Sequence, residues 1–389
     1  MAQTTNAPRT WEAWRQEFPI FTRRLYYNTC SLCALARPVA DAVRTFLDQW
    51  DDSGAAAWYG PWLAEIEALR TSFARLVGAD RDEVAIFPSI TAALTAVASA
   101  YDYRARPKVV LSEREFPTTV YQWLAKADRG VELHTLRSPD PLTVPVELYA
   151  QAVDGRTQLV VASHVYFTSG AIQDISALAA LAHRWGAHLL VDAYQSVGQL
   201  PTDVRTSGVD FLITGGLKWL LGGPGIAFLY ARREVAEALR PASVGWFGHR
   251  NQFAFDVQRL EYADGARRFE GGTPAVGAVY AARAGLAIIE EIGVQRLRER
   301  QVVLVDHLAA AAQRHGLRPR LPARPQDLAG IVTIPRKDPA AVVAALRGRG
   351  VIVDYRPGLV RLSPYFYNTP EDGEQVVREL IELERRGIR

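Results

Sequence analysis

The stretch from Val191 to Tyr230 reads VDAYQSVGQLPTDVRTSGVDFLITGGLKWLLGGPGIAFLY. One apolar run ends at Asp192, a second fills 211–214, and a third spans 226–230. Runs this short and this apolar are expected for strands covered on both faces. Between the last two runs sits Lys218, with Gly215 and Gly216 before it and Gly222 and Gly223 after it.

Outward from this stretch the same pattern repeats. Apolar, β-branched runs occupy 84–87, 109–111, 131–134, 159–162 and 189–192. Helix-like segments, such as 91–101 and 175–185, lie between several of them. That alternation predicts an α/β domain built on a mostly parallel, seven-stranded sheet flanked by helices. After residue 265 the pattern changes. Long helices are expected over 275–291 and 294–315, then strands at 331–334, 351–354 and 360–362. Helices are expected at 339–347 and 371–386, and a Pro-rich loop at 318–326. This reads as a smaller α+β domain. The expected organisation is an N-terminal segment 1–20 packing with the small domain, a large domain 21–264, and a small domain 265–389.

Composition narrows the function classes. The formal net charge is +3, with no block of basic residues, so nucleic acid and anionic membrane are poor partners. No apolar run reaches the ~20 residues of a membrane span. The opening residues lack the apolar core of a signal peptide, so a cytoplasmic location is expected. The only cysteines, Cys30 and Cys33, are too few for a zinc site. They read as two reduced thiols in a loop, and no metal is expected.

The lysines are Lys108, Lys126, Lys218 and Lys337; the remaining basic residues are arginines. Three have polar or basic neighbours. Lys218 alone sits between apolar strands. A desolvated amine there has a lowered pKa and is nucleophilic, as a Schiff-base lysine requires. A lysine snorkelling from a strand end is the structural alternative.

A pyridoxal 5′-phosphate (PLP) site also needs a carboxylate that keeps the pyridine nitrogen protonated. Asp192 ends an apolar strand, at the carboxyl edge where α/β sheets place ligands, although a strand-end Asp also serves as a helix cap. Gln195 lies within reach of a ring hydroxyl. The phosphate needs backbone N–H groups at a helix N-terminus. FPSITAALTAVASA offers them at Ile90 and Thr91, with Ser89 as N-cap. Phe116, in SEREFPTTVYQW, is a candidate to stack on the ring, or else a core residue.

These residues resemble the class V aminotransferase family of fold-type I PLP-dependent enzymes, which includes kynureninases, cysteine desulfurases and isopenicillin-N epimerase-like proteins. The resemblance runs from YYNTCSLCAL to RLSPYFYNT. It implies that Asp192, Gln195 and Lys218 hold the cofactor and that Phe116 covers its ring. It also implies that Arg361, in VRLSPYFYNT, binds a substrate α-carboxylate, a bidentate task suited to arginine. Thr273, in EGGTP, would reach the cofactor phosphate of a neighbouring subunit, so a homodimer is expected. Trp246 and His249, in GWFGH, resemble a kynureninase substrate segment. With Trp58 and Tyr59 they suit either an aromatic pocket or a core.

The departures are specific. Leu217 stands where desulfurases have His and kynureninases Tyr, and Gly215 stands where desulfurases have a phosphate-binding Ser. No cysteine follows Thr273, unlike the desulfurases. Pro61 and Thr273 replace kynureninase substrate residues. The expected activity is on an amino acid, first as a side-chain-cleaving lyase or hydrolase, of C–S lyase or kynureninase-like type. An aminotransferase or epimerase is the alternative. A non-catalytic scaffold is the reading of another class, and the intact Lys218, Asp192 and Arg361 speak against it.

Overall fold

The computed structural model describes residues 8–388, so residues 1–7 of the expected N-terminal segment lie outside it. All seven apolar runs form one sheet. Its order is Val84–Phe87, Ala227–Ala231, Phe211–Gly215, His188–Asp192, Thr157–Ser163, Lys108–Ser112, Glu132–Leu136. Ala227–Ala231 is antiparallel to both its neighbours, and the other pairings are parallel. The sheet is therefore mostly parallel, as the sequence predicts.

The strands are apolar throughout because each face has its own core. Ile86, Val110, Val160, Val191, Leu212 and Phe228 enter one cluster with Phe73 and Leu178. Their chain neighbours Phe87, Val109, Val161, Leu190, Phe211 and Ala227 enter the other, with Leu94 and Trp123. Successive side chains point to opposite faces of a strand, so burying both leaves no polar positions. Glu132–Leu136 departs from this: it is an edge strand and three of its five side chains are exposed. Its composition, ELHTL, is accordingly the most polar.

Helices the sequence reading left unassigned complete the layers. They include Arg37–Ser53 and Pro61–Val77, each with proline in its first turn, where the missing N–H costs nothing. Val276–Ile292 packs on both of them. The expected C-terminal helices form as Val294–Arg314, Pro339–Gly348 and Pro370–Arg385. They share a third core with the antiparallel sheet Asp354–Arg356, Leu359–Leu362, Val332–Pro335. The run expected at 351–354 splits. Val351–Ile352 pairs instead with Leu25–Tyr26, and the hairpin strand starts at Asp354. Trp11, Trp14 and Phe18 pack against Phe366.

The strand order reverses between the parallel neighbours Lys108–Ser112 and Thr157–Ser163. One continues to the edge strand, the other back toward the sheet centre. Ligands of open α/β sheets sit at such a switch point, outside the carboxyl ends of the strands. Ser112, Ser163, Asp192 and Gly215 all end strands on that side. Among the described residues no helix is long and apolar enough to cross a membrane.

Candidate active site

Asp192 is buried at 6% exposure. The backbone N–H of Tyr194 donates to its Oδ1 at 2.9 Å, and the Thr119 hydroxyl to its Oδ2 at 3.3 Å. Burial raises the pKa of this carboxyl, while the Tyr194 amide, the Lys218 charge and Thr119 pull the other way. The capping role fits only in part, because the Tyr194 N–H opens a turn and not a long helix.

Lys218 keeps part of its side chain open to the cleft, yet protein crowds its amine. That desolvation pushes the Nζ down to about 8, against the opposing pull of Asp192. No described residue accepts a hydrogen bond from it. Its Nζ lies 4.1 Å from the ring centroid of Tyr194 and 6.0 Å from that of Phe116. Phe116 is 41% exposed and meets Phe167 edge-on at 5.2 Å. It is a ring at a cleft mouth and not a core phenylalanine.

Tyr194 explains one departure from the family pattern. A Cβ on Gly215 would lie 2.6 Å from two ring carbons and from the hydroxyl oxygen of Tyr194. A serine at 215 and this tyrosine cannot share the space. The Leu217 carbonyl accepts the Cys33 N–H at 2.9 Å, tying the lysine loop to the Cys30–Cys33 loop. Both thiols are buried and free, and burial pushes that of Cys33 up to about 11. The Cys33 thiol therefore stays protonated at neutral pH.

Ser89 caps the helix Ile90–Ser99 by accepting from the Ala92 N–H at 3.2 Å, leaving the first-turn amides of Ile90 and Thr91 without helical partners. Ser89 and Thr91 line a cavity of about 460 Å³ together with Gly271, Gly272 and Thr273. Glu270 joins the two walls. It accepts from the Ile86 N–H at 2.8 Å and from Arg70 at 2.6 Å, all buried.

Gln195 is committed at both ends of its amide. Its Nε2 donates to the Cys30 carbonyl at 3.0 Å and its Oε1 accepts from Trp219 Nε1 at 2.8 Å. One Nε2 hydrogen remains for a ligand. Arg361 is fully buried. Its terminal nitrogens donate to Asp354 (2.5 Å), to Ser31 (2.9 Å) and to the Phe167 carbonyl (2.8 Å), while its Nε is buried without a partner. Trp246 and His249 stand apart from this cluster. They line an open cavity of about 420 Å³ with Phe255. Trp246 also shares a smaller one with Trp58, Tyr59 and Thr273.

Sequence reasoning missed Tyr194, Phe167, Thr119, Glu115 and Asp354. Tyr194 and Phe167 had a signal, since both follow the carboxyl end of a strand within a few residues. Asp354 had none until the hairpin register put it opposite Arg361.

The residues fit PLP on the structure's own terms. A crowded amine without a partner faces an aromatic ring, a buried carboxylate shares its field, and a cavity opens on free helix-end amides. Comparisons with known proteins agree. The model of the family described as aminotransferase class-V matches residues 35–376. An uncharacterized aminotransferase of Bacillus subtilis, YcbU, is 38% identical over 95% of this chain and 97% of its own length. The kynureninase of Bacillus anthracis is 30% identical over 91% of this chain and 86% of its own. In fold, the chain is similar to a cysteine desulfurase from Thermococcus onnurineus. The TM-score is 0.87 at 23% identity, over 98% of this chain and 100% of the other. The cystine C–S lyase C-DES superposes with a TM-score of 0.86 at 21% identity, over 93% of this chain and 98% of the other. This chain belongs to the class V aminotransferase family of PLP-dependent enzymes.

Proposed function

We propose that the protein uses Lys218 and PLP to break a side-chain bond of an amino-acid substrate, as a lyase or hydrolase. The observation that carries this reading is the Lys218 amine, held near neutrality at about 8 with no hydrogen-bond partner among the described residues. Such an amine both attaches a carbonyl cofactor and takes a proton at neutral pH.

PLP, when bound, supplies an electron sink for the charge left on the substrate Cα. Asp192 holds a proton on the ring nitrogen. Phe116 covers the ring. The first-turn amides of Ile90 and Thr91 hold the phosphate, with Thr273 serving the neighbouring subunit of a homodimer. Gln195 offers its remaining amide hydrogen to the ring hydroxyl. Arg361 orients the substrate α-carboxylate, its buried Nε having no partner within the protein. The Lys218 amine would take the Cα proton and return it where the reaction requires. Trp246 shares a cavity with Thr273, and His249 lines the adjoining one with Trp246, where a bulky side chain would extend.

Kynureninase relatives at 30% identity support side-chain cleavage. The name of the Bacillus subtilis relative favours a second reading, transamination. A panel of amino acids with mass-spectrometric product identification separates them. Release of a side-chain fragment without an added 2-oxo acid supports cleavage. Turnover that requires a 2-oxo acid, with its stoichiometric amination, supports transamination and overturns the first reading.

A further inference from the structure

A second carboxyl group lies behind Asp192, and nothing in the scheme above uses it. Glu115 is 4% exposed. It bridges two strand ends at the switch point of the sheet. Ser112 Oγ lies 2.7 Å from its Oε1, and Ser163 Oγ lies 2.6 Å from its Oε2. Ser163 is the register partner of Asp192. Glu115 also directly precedes Phe116, and Thr119, one turn further along the chain, bonds Asp192. Among the described residues no Lys, Arg or His pairs with Glu115.

We propose that Glu115 is a positioning residue that keeps its proton while Asp192 ionises, so that one negative charge and not two faces the cofactor ring. The proposal rests on the assignment of Asp192 to the ring nitrogen.

The two carboxyl groups are unequally solvated. Two carboxyl groups in one buried region do not both ionise readily. Asp192 has a backbone N–H, the Thr119 hydroxyl and the Lys218 charge to stabilise its anion. Glu115 has two serine hydroxyls and the backbone N–H of Ser163 but, among the described residues, no positive charge beside it. Ser112 Oγ accepts the Arg114 N–H at 3.2 Å and donates to Glu115 Oε1 at 2.7 Å. Ser163 Oγ lies 2.6 Å from Glu115 Oε2, and a hydroxyl there can turn to accept the proton of the neutral acid. The other groups facing Glu115 are the hydroxyls of Tyr149 and Tyr166, which burial keeps un-ionised. Burial, with Asp192 adding to it, brings Glu115 up to about 7 against the pull of the two serines. Its ionisation therefore falls in the working range. Above that pH a second negative charge appears beside Asp192 and raises the proton affinity of the Lys218-bound cofactor.

The test is a pH titration of the holo-protein, followed in the infrared and in the visible band of the Lys218-bound cofactor. The wild type is expected to show a carboxylic-acid C=O stretch at pH 6 that fades through about pH 7. E115Q, which mimics the protonated acid, is expected to lack that stretch, keep the cofactor, and lose the visible-band component centred there. E115D is expected to restore a shifted component. A merely structural Glu115 moves none of these. An E115Q titration superimposable on the wild type overturns the proposal. So does a wild-type protein, holo or apo, without the acid stretch at pH 6, which decides the matter even if E115Q fails to fold. The Asp192 assignment is tested separately by D192N, whose unchanged visible spectrum would remove that assignment and leave the infrared result intact.

Discussion

Arg361 and Asp354 face each other across an antiparallel hairpin, and Ser31 bonds to both. Burial works against the Asp354 anion, yet Ser31, Arg361 and Arg356 hold its carboxyl below the usual range. The pair fixes a buried guanidinium while leaving its Nε unpartnered. Arg361→Ala is expected to lower kcat/KM by at least about 2 kcal/mol, roughly 30-fold, mostly through KM. Arg361→Lys keeps the charge but loses the fork, and is expected to recover little. Steady-state kinetics of both variants check this; a wild-type KM in Arg361→Ala would remove the residue from the substrate site.

The buried amine has a consequence for the apoprotein. Lys218 titrates near 8 when folded and near the ordinary lysine value when unfolded. The unfolded state therefore binds more protons between those values, and stability from this group rises with pH across that window. Below it the charged amine costs the fold on the order of 2 kcal/mol. Apo Lys218→Met is expected to melt higher than apo wild type at pH 7. The gap should close as pH climbs through 8 toward 10.5. Paired thermal melts measure it; a gap independent of pH contradicts the assignment.

Arg70 and Glu270 form an ion pair that is nearly solvent-free, at 1% and 3% side-chain exposure. Breaking it leaves one charge buried alone. Glu270→Ala is expected to destabilise by about 3–5 kcal/mol. Replacing both partners with methionine is expected to restore much of that loss. Chemical denaturation of the single and double variants provides the cycle. Because Glu270 also holds the Ile86 N–H, the single variant should loosen the cavity shared by Thr91 and Thr273 and weaken PLP binding.

Tyr59, Trp246, Phe253, Phe255 and Val257 form an exposed apolar surface beside Thr273. Surfaces of this kind mark association sites. The protein is expected to sediment as a dimer at micromolar concentration, and the double variant Phe255→Asp, Val257→Asp to shift toward monomer with weaker PLP binding. A monomeric wild type that binds PLP tightly would count against the shared site.

The sheet was legible because both its faces are buried, which turns every strand but the edge strand Glu132–Leu136 into a short, mainly apolar run. Asp192 was legible because it ends such a run, and Lys218 because it lies in a glycine-rich loop between two of them. Their neighbours were not. Thr119 reaches Asp192 from 73 residues away, and Ser163 reaches Glu115 from 48. Such pairings are set by strand order and register, which local patterns do not encode. Gly215 illustrates the limit. From sequence it looked like a lost phosphate contact, whereas the fold gives its space to the ring of Tyr194. Gln195 likewise looked free to serve a ligand, but the fold commits most of its amide to Cys30 and Trp219.

The account stands on Lys218 as the residue that carries PLP. Borohydride reduction of the yellow holo-protein, followed by peptide mass mapping, tests it directly. The expected result is a single phosphopyridoxyl adduct on Lys218, absent from Lys218→Ala. An adduct on Lys108, Lys126 or Lys337 instead, or a wild-type protein that takes up no PLP, would contradict the account.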